Sequence, residues 1–162
     1  MKISDDYFDV DNNVLLASIF GVFCALASAM ATVNYMGAAY IFIAIIIGNL
    51  LALKIDGIHH VITMLVFIII CLISGIPNLS LVVLLICVLC ALGDEIGHEN
   101  ISKVTDNAFL NLFFEYRFLM KVILLLLVLF NVFEWPVFVL FILFEVSYLL
   151  GGFVFERLKK EV

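Results

Sequence analysis

The sequence predicts an all-α fold, a polytopic transmembrane helix bundle of about six spans in three hairpins with both termini cytoplasmic. Three observations predict it: 66% of the 162 residues are hydrophobic, only 14% are charged, and six apolar runs follow one another along the chain. Soluble globular chains are roughly 45–50% apolar, and the mean hydropathy of +1.28 lies far from theirs. The length suits a single integral membrane domain, 1–162. The same composition excludes a soluble enzyme, a disulfide scaffold and a disordered chain, and a net charge of -6 excludes a nucleic-acid binder. Sixteen Phe suit lipid-facing helices, while two Pro and nine Gly leave little material for long soluble loops.

The chain begins with an acidic segment, 1–13, reading MKISDDYFDVDNN. It lacks the positive region that opens a signal sequence, so it is expected to stay on the mature protein, in the cytoplasm. Apolar runs follow at 14–33, 38–53, 60–75, 79–92, 118–133 and 136–155. A straight crossing takes about 20 residues, and the second to fifth runs are shorter. Either their helices recruit flanking polar residues into the headgroup layer, or 60–92 is a re-entrant hairpin; the chain returns to the same side in both cases.

The connectors fall into two kinds. Those at 34–37, 76–80 and 132–135 are tight and nearly uncharged. The segment 54–60, the polar or interfacial loop 93–117 and the basic tail 156–162 lie with the N-terminal segment on the other side; they carry Lys2, Lys54, Lys103, Arg117, Arg157, Lys159 and Lys160, and Lys121, four residues past the loop, completes the eight basic residues on that side. The Lys/Arg bias of cytoplasmic loops predicts a cell-membrane protein with both termini inside the cell. Glu134 and Trp135 at a hairpin tip read as interface anchors. Glu145, midway along the last span, is either a structural hydrogen-bond partner or the polar floor of a cavity.

Three polar clusters abut helix ends on the cytoplasmic side: DDYFDVDNN at 5–13, KIDGIHH at 54–60 and GDEIGHENISK at 93–103. On a helix, Asp6, Asp9 and Asn13 stack along one face, as do Asp94 with His98 and Glu95 with Glu99. Two carboxylate-bearing helix ends suit Mg2+, a hard cation that takes oxygen ligands and completes its shell with substrate phosphates. A solvated acidic segment is the plainer account of the first cluster. Lys54, Lys103, Arg117 and Lys121 can neutralise phosphate oxygens or meet anionic lipid. Arg117, inside the aromatic stretch FLNLFFEYRFLMK, either snorkels to the interface or pairs with the carboxylates at 94–99.

The string DDYFDVDNN resembles the NDxxDxxxD motif of the UbiA superfamily of intramembrane prenyltransferases, with Asp5 at the Asn position, Asp6 and Asp9 at the first two Asp and Asn13 at the third. In that family four helices separate this motif from a second, DxxxD-like one; here four apolar runs separate Asp6 from Asp94, and Lys54 lies in the intervening loop. The resemblance covers about residues 5–121. It implies a short, diverged member that begins at the family's third helix, without the Arg-Pro segment after the first motif and with His98 in place of an Asp in the second. It implies Mg2+ held by Asp6, Asp9, Asn13, Asp94, Glu95, His98 and Glu99, with Asp6, Asp9, Asp94 and Lys54 as catalytic residues. A prenyl diphosphate would be bound by Lys54, Lys103, Arg117, Lys121 and Tyr116, its tail among the apolar helices. Metal and cations would stabilise the departing pyrophosphate, and Tyr7, Phe8 or Tyr116 an allylic cation.

Two other readings stand beside it. His59, His60, Glu95, His98 and Glu99 form a ligand set of His-carboxylate type, with Glu95 and His98 at ExxH spacing, although adjacent histidines on one helix point in different directions. A non-catalytic membrane protein, a transporter or an accessory subunit with a partner membrane chain or a second copy, fits Glu145 and the short spans. A closed cytoplasmic pocket favours the transferase, and a polar track from Glu145 to Glu134 favours transport. Cys24, Cys71, Cys87 and Cys90 lie inside apolar runs, and the CxxC spacing of the last two suits small buried hydrophobes better than a redox pair.

Overall fold

The computed structural model describes residues 1–160. Among these residues it is all helical, in the order α1 (Lys2–Asp9), α2 (Val14–Asn34), α3 (Met36–Leu51), α4 (Ile58–Ser74), α5 (Leu81–Val104), α6 (Ala108–Glu115), α7 (Phe118–Leu129) and α8 (Trp135–Lys160). The last two residues of the basic tail lie outside the described residues. Three helices, α2, α5 and α8, are long and apolar enough to cross a membrane. The others are shorter: at 1.5 Å per residue α3 and α4 reach about 24–26 Å and α7 about 18 Å, against a hydrocarbon core of about 30 Å.

Local chemistry sets the helix ends. Asn13 starts α2 by accepting the Leu16 amide on its side-chain oxygen, 3.0 Å away. Asn107 starts α6 by accepting the amides of Phe109 and Leu110. Both satisfy amides that have no partner within the helix. Gly75, at φ +78°, ends α4 in a backbone conformation that side-chain-bearing residues rarely adopt. The stretch 93–117 differs from the expected loop: α5 continues through GDEIGHENISK to Val104, and after three residues α6 covers Ala108–Glu115. Nothing in GDEIGHENISK breaks a helix except two glycines, which cost only about 1 kcal/mol each.

Small residues decide which helices meet. The buried face of α2 is Ala17, Gly21, Ala25, Ala29 and Thr32, a stripe that lets α4 approach closely. A Cβ on Gly21 would fall 2.2 Å from Thr63 Oγ1. On α3 the stripe Tyr40, Ile41, Ala44 and Gly48 meets Cys87, Val88 and Ala91 of α5, and a Cβ on Gly48 would lie 2.9 Å from Ala91 Cβ. Thus α4 packs on α2 and α5 on α3, rather than α4 on α5. The larger core joins α3, α5, α7 and α8 through Tyr40, Leu124, Phe133 and Phe141, and a smaller one joins Ala25, Ala29 and Phe67.

The short helix α1 closes one end of the bundle against α2, α4 and α8. Ser4, fully buried, donates to the Ala17 carbonyl at 2.6 Å. Tyr7 stacks on Phe20 and meets Phe155 edge-on, with centroids 5.5 and 5.0 Å apart. Lys159 of α8 pairs with Asp11, so the beginning of the chain and the end of α8 share one end of the bundle.

Candidate functional site

Charged side chains from α1, α4, α5, α7 and α8 gather in two adjoining clusters. The first begins with the turn 52–57 and the start of α4. His59 is 1% exposed and its Nε2 stands 3.3 Å from Asp5 Oδ1; His60 Nε2 stands 3.8 Å from the same oxygen and 3.6 Å from Asp56 Oδ1. Asp5, His59 and His60 thus form a group whose ligand atoms lie within 4.8 Å of one another and that could hold a metal ion. The expectation that adjacent histidines diverge fails here, because the two rings tilt against each other at 4.0 Å and both reach across to α1. Phe8 covers the His59 ring at 4.4 Å. Burial pushes the Asp5 carboxyl up to about 6, and the nearby N-terminal ammonium and Lys2 offset only part of that rise.

The second cluster runs from α5 to α7 and α8. Glu95, 6% exposed, accepts from the Arg117 guanidinium at 3.1 and 3.3 Å, and Lys54 reaches Glu95 at 3.9 Å while pairing closely with Glu99. Arg117 itself lies over the Tyr148 ring at 5.9 Å. Its backbone has φ 50°, a left-handed conformation that costs an L residue about 1–2 kcal/mol. The Glu95 pair and the Tyr148 stack hold it there. Lys121 pairs with Glu145 at 2.6 Å and lies over the Phe118 ring at 4.6 Å. Glu145 is therefore a partnered carboxylate.

Asp94 has a different neighbour. Its two oxygens accept the Leu119 and Met120 amides at 2.9 and 2.8 Å, so a side chain of α5 caps the first turn of α7. A carboxylate at a helix N-terminus satisfies orphan donors and meets the positive end of the helix dipole. The sequence offers no sign of this bond, which spans 25 positions.

The remaining residues singled out from the sequence are spread out. Asp6 pairs with Lys2 at 2.8 Å and lines a groove between α1 and α8 of about 340 Å3. Asp9, His98 and Lys103 are exposed, as is Asn13, whose oxygen caps α2. Tyr116 is half-exposed, and its carbonyl accepts from Lys121. Among the described residues, no three of Asp6, Asp9, Asp94, Glu95, His98 and Glu99 come together as a metal-binding group; nor do His59 and His60 join Glu95, His98 and Glu99. The separation has a plain cause: α1 folds over α2, α4 and α8, which brings Asp5 to the histidines of α4, whereas Asp94 is bound to the start of α7 and Glu95 and Glu99 pair with Arg117 and Lys54.

Of the residues that matter to this geometry, Tyr148 carried no role in the sequence, and Asp5 stood only at the Asn position of the motif, not among the expected metal ligands. The doublet His59–His60, two imidazoles opening an apolar helix, is the signal that could have pointed to Asp5. All four cysteines are free.

Fold and clusters together define a helical bundle with three helices long and apolar enough to cross a membrane and a strongly charged end. Comparison with protein-family models, with curated proteins and with solved structures gives no match.

Proposed function

We propose that this chain is a six-span protein of the cell membrane with both termini cytoplasmic, whose charged end binds the diphosphate of a prenyl lipid together with Mg2+, as a short UbiA-like protein would. The observation that carries the reading is the chain of alternating charges Lys54, Glu99, Glu95 and Arg117. A magnesium diphosphate presents both signs at once, so the carboxylates can turn to the metal and the cations to phosphate oxygens without leaving any charge unpaired. The apolar flanks of the bundle, with Leu72, Ile73, Leu81 and Leu143 among many exposed side chains, suit acyl chains and a prenyl tail alike.

Support for this reading over transport comes from where the charges stop. Glu134 lies at the opposite end, in a cleft with Tyr35 and Trp135, and residues 136–144 of α8 between it and Glu145 are all apolar. Such a stretch gives ions no polar track along α8.

In this reading Glu95 and Glu99 are the metal-facing carboxylates, and Lys54 and Arg117, with Lys121 beside them, face the phosphates. Asp94 holds α7 in place. The test is thermal unfolding of the purified protein with geranylgeranyl diphosphate, with and without Mg2+. Ligand that binds only the folded state raises stability by RT ln(1 + [L]/Kd), about 2.7 kcal/mol at a hundredfold excess over Kd. A rise in Tm that needs Mg2+, and is lost in Glu95→Gln, is expected; no shift at millimolar ligand would sink the proposal.

A further inference from the structure

The Asp5, His59 and His60 group is not used by the diphosphate reading, and it stands on observations of its own. We infer that these three residues form a binding site for a divalent transition metal, of the zinc, iron or cobalt class. Two imidazoles and one carboxylate are a ligand set such ions prefer over Mg2+, which takes oxygen. Ligands at about 2.1 Å from a common ion lie about 3.0–3.4 Å apart at tetrahedral to octahedral angles. The His59 Nε2 to Asp5 Oδ1 separation of 3.3 Å already meets that spacing, and the His60 separation of 3.8 Å is a few tenths of an ångström longer. Three protein ligands leave further positions on the ion open, the arrangement of a site that takes water or a substrate. Asp56, 78% exposed on its side chain and 3.6 Å from His60 Nε2, stands beside that opening.

Gly57 is a second, independent sign that the imidazole seat is built. Its backbone, φ -107° and ψ 151°, is one that any residue adopts, so no conformational need explains the glycine. Its reason is steric: a Cβ there would fall 2.5 Å from both Cε1 and Nδ1 of His59 and 3.3 Å from the Phe8 ring. The glycine, the Phe8 ring and the burial of His59 together hold one imidazole edge toward Asp5 across a tertiary contact of 54 positions. A histidine placed only to hydrogen-bond headgroups would be neither buried nor fitted in this way.

Cobalt reports this site directly, because its weak visible d–d bands in water shift and intensify on imidazole ligation. The full-length protein, purified in detergent and stripped with a chelator, is titrated with CoCl2, and the stoichiometry is checked by elemental analysis. One equivalent of Co2+ with ligand-field bands is expected, competed by Zn2+ and unaffected by millimolar Mg2+. His60→Ala, at a side chain 23% exposed and therefore tolerant of change, should weaken binding by at least about tenfold. Gly57→Ala should weaken it through displacement of His59. Circular dichroism and Tm of His60→Ala establish that it is folded. Bands in the parent protein no different from those of free Co2+, or bands of equal position and intensity in folded His60→Ala, overturn the site. Since His60 has no part in the diphosphate reading, Mg2+-dependent stabilisation by geranylgeranyl diphosphate should survive in His60→Ala, so the two proposals fail separately.

Discussion

Asp94 shows how one side chain can carry the architecture of a site without belonging to its chemistry. Its carboxylate takes two amides of α7 and thereby fixes Arg117, one residue before that helix, against Glu95. Asp94→Ala should lower stability by about 1–3 kcal/mol, the range for hydrogen bonds to a charged group at a helix start. Asp94→Asn, which keeps one acceptor oxygen, should cost less. Thermal unfolding measures both, and an unchanged Tm in Asp94→Ala would mean that α7 does not need the cap. If Asp94 were a metal ligand instead, Asp94→Asn would abolish the Mg2+ dependence of ligand stabilisation, whereas the geometry expects that dependence to remain. The ion pairs around it are unequal in weight. Lys54 with the exposed Glu99 is a solvent-screened surface pair of little weight, while Glu95 is buried and loss of Arg117 would leave it only Lys54, 3.9 Å away.

At the scale of elements, the bundle rests on close helix approach more than on large side chains. Helices in lipid gain nothing from hiding apolar surface from acyl chains, so packing complementarity decides their association. Gly48→Ala places a methyl group 2.9 Å from Ala91 Cβ and 3.1 Å from the Leu92 backbone nitrogen, atoms that cannot step aside. Its expected cost is about 1–3 kcal/mol. Gly151→Ala meets the side chains of Ile3, at 3.3 and 3.7 Å, and Lys2, at 3.7 Å, and should be nearly neutral. Equal Tm values for the two variants, read in one detergent, would refute the idea that α3 and α5 are held by this contact. The elements also show what was legible. The six apolar runs correspond to α2, α3, α4, α5, α7 and α8, whereas Asn13, expected as a metal ligand, caps α2, and Asn107, expected in a loop, caps α6. Less legible was the reach of α5, because a polar string such as GDEIGHENISK reads equally as loop or as helix until α6 and α7 pack on it.

For the whole molecule, the shared end occupied by α1 and the last turns of α8 bears on orientation. Asp11 with Lys159, and Lys2 and Ile3 against Gly152 and Gly151, hold these segments together, so they belong on one side of a membrane. With the basic residues gathered there, that side is expected to be the cytoplasm. A cysteine introduced at Arg157, in a background without the four native cysteines, should escape an impermeant maleimide in intact cells and react after permeabilisation. One at Asn131, at the opposite end, should react in intact cells. The reverse pattern would invert the topology and move the charged site to the outer face.

The sequence by itself determined the helical class, the approximate limits of the apolar helices and the gathering of charge beside particular helix ends. Those properties follow from composition and from hydrophobic runs, which are local along the chain. The tertiary structure alone decided that α4 lies on α2 and α5 on α3, that Asp94 caps α7, and that Asp5 meets His59 and His60 while Asp6 and Asp9 do not meet Asp94. These partners stand 25 to 55 positions apart. Their meeting depends on the rotation and depth of each helix, and helices apolar on every side carry no hydrophobic periodicity from which rotation can be read; small residues at close contacts and a few polar bonds set it instead.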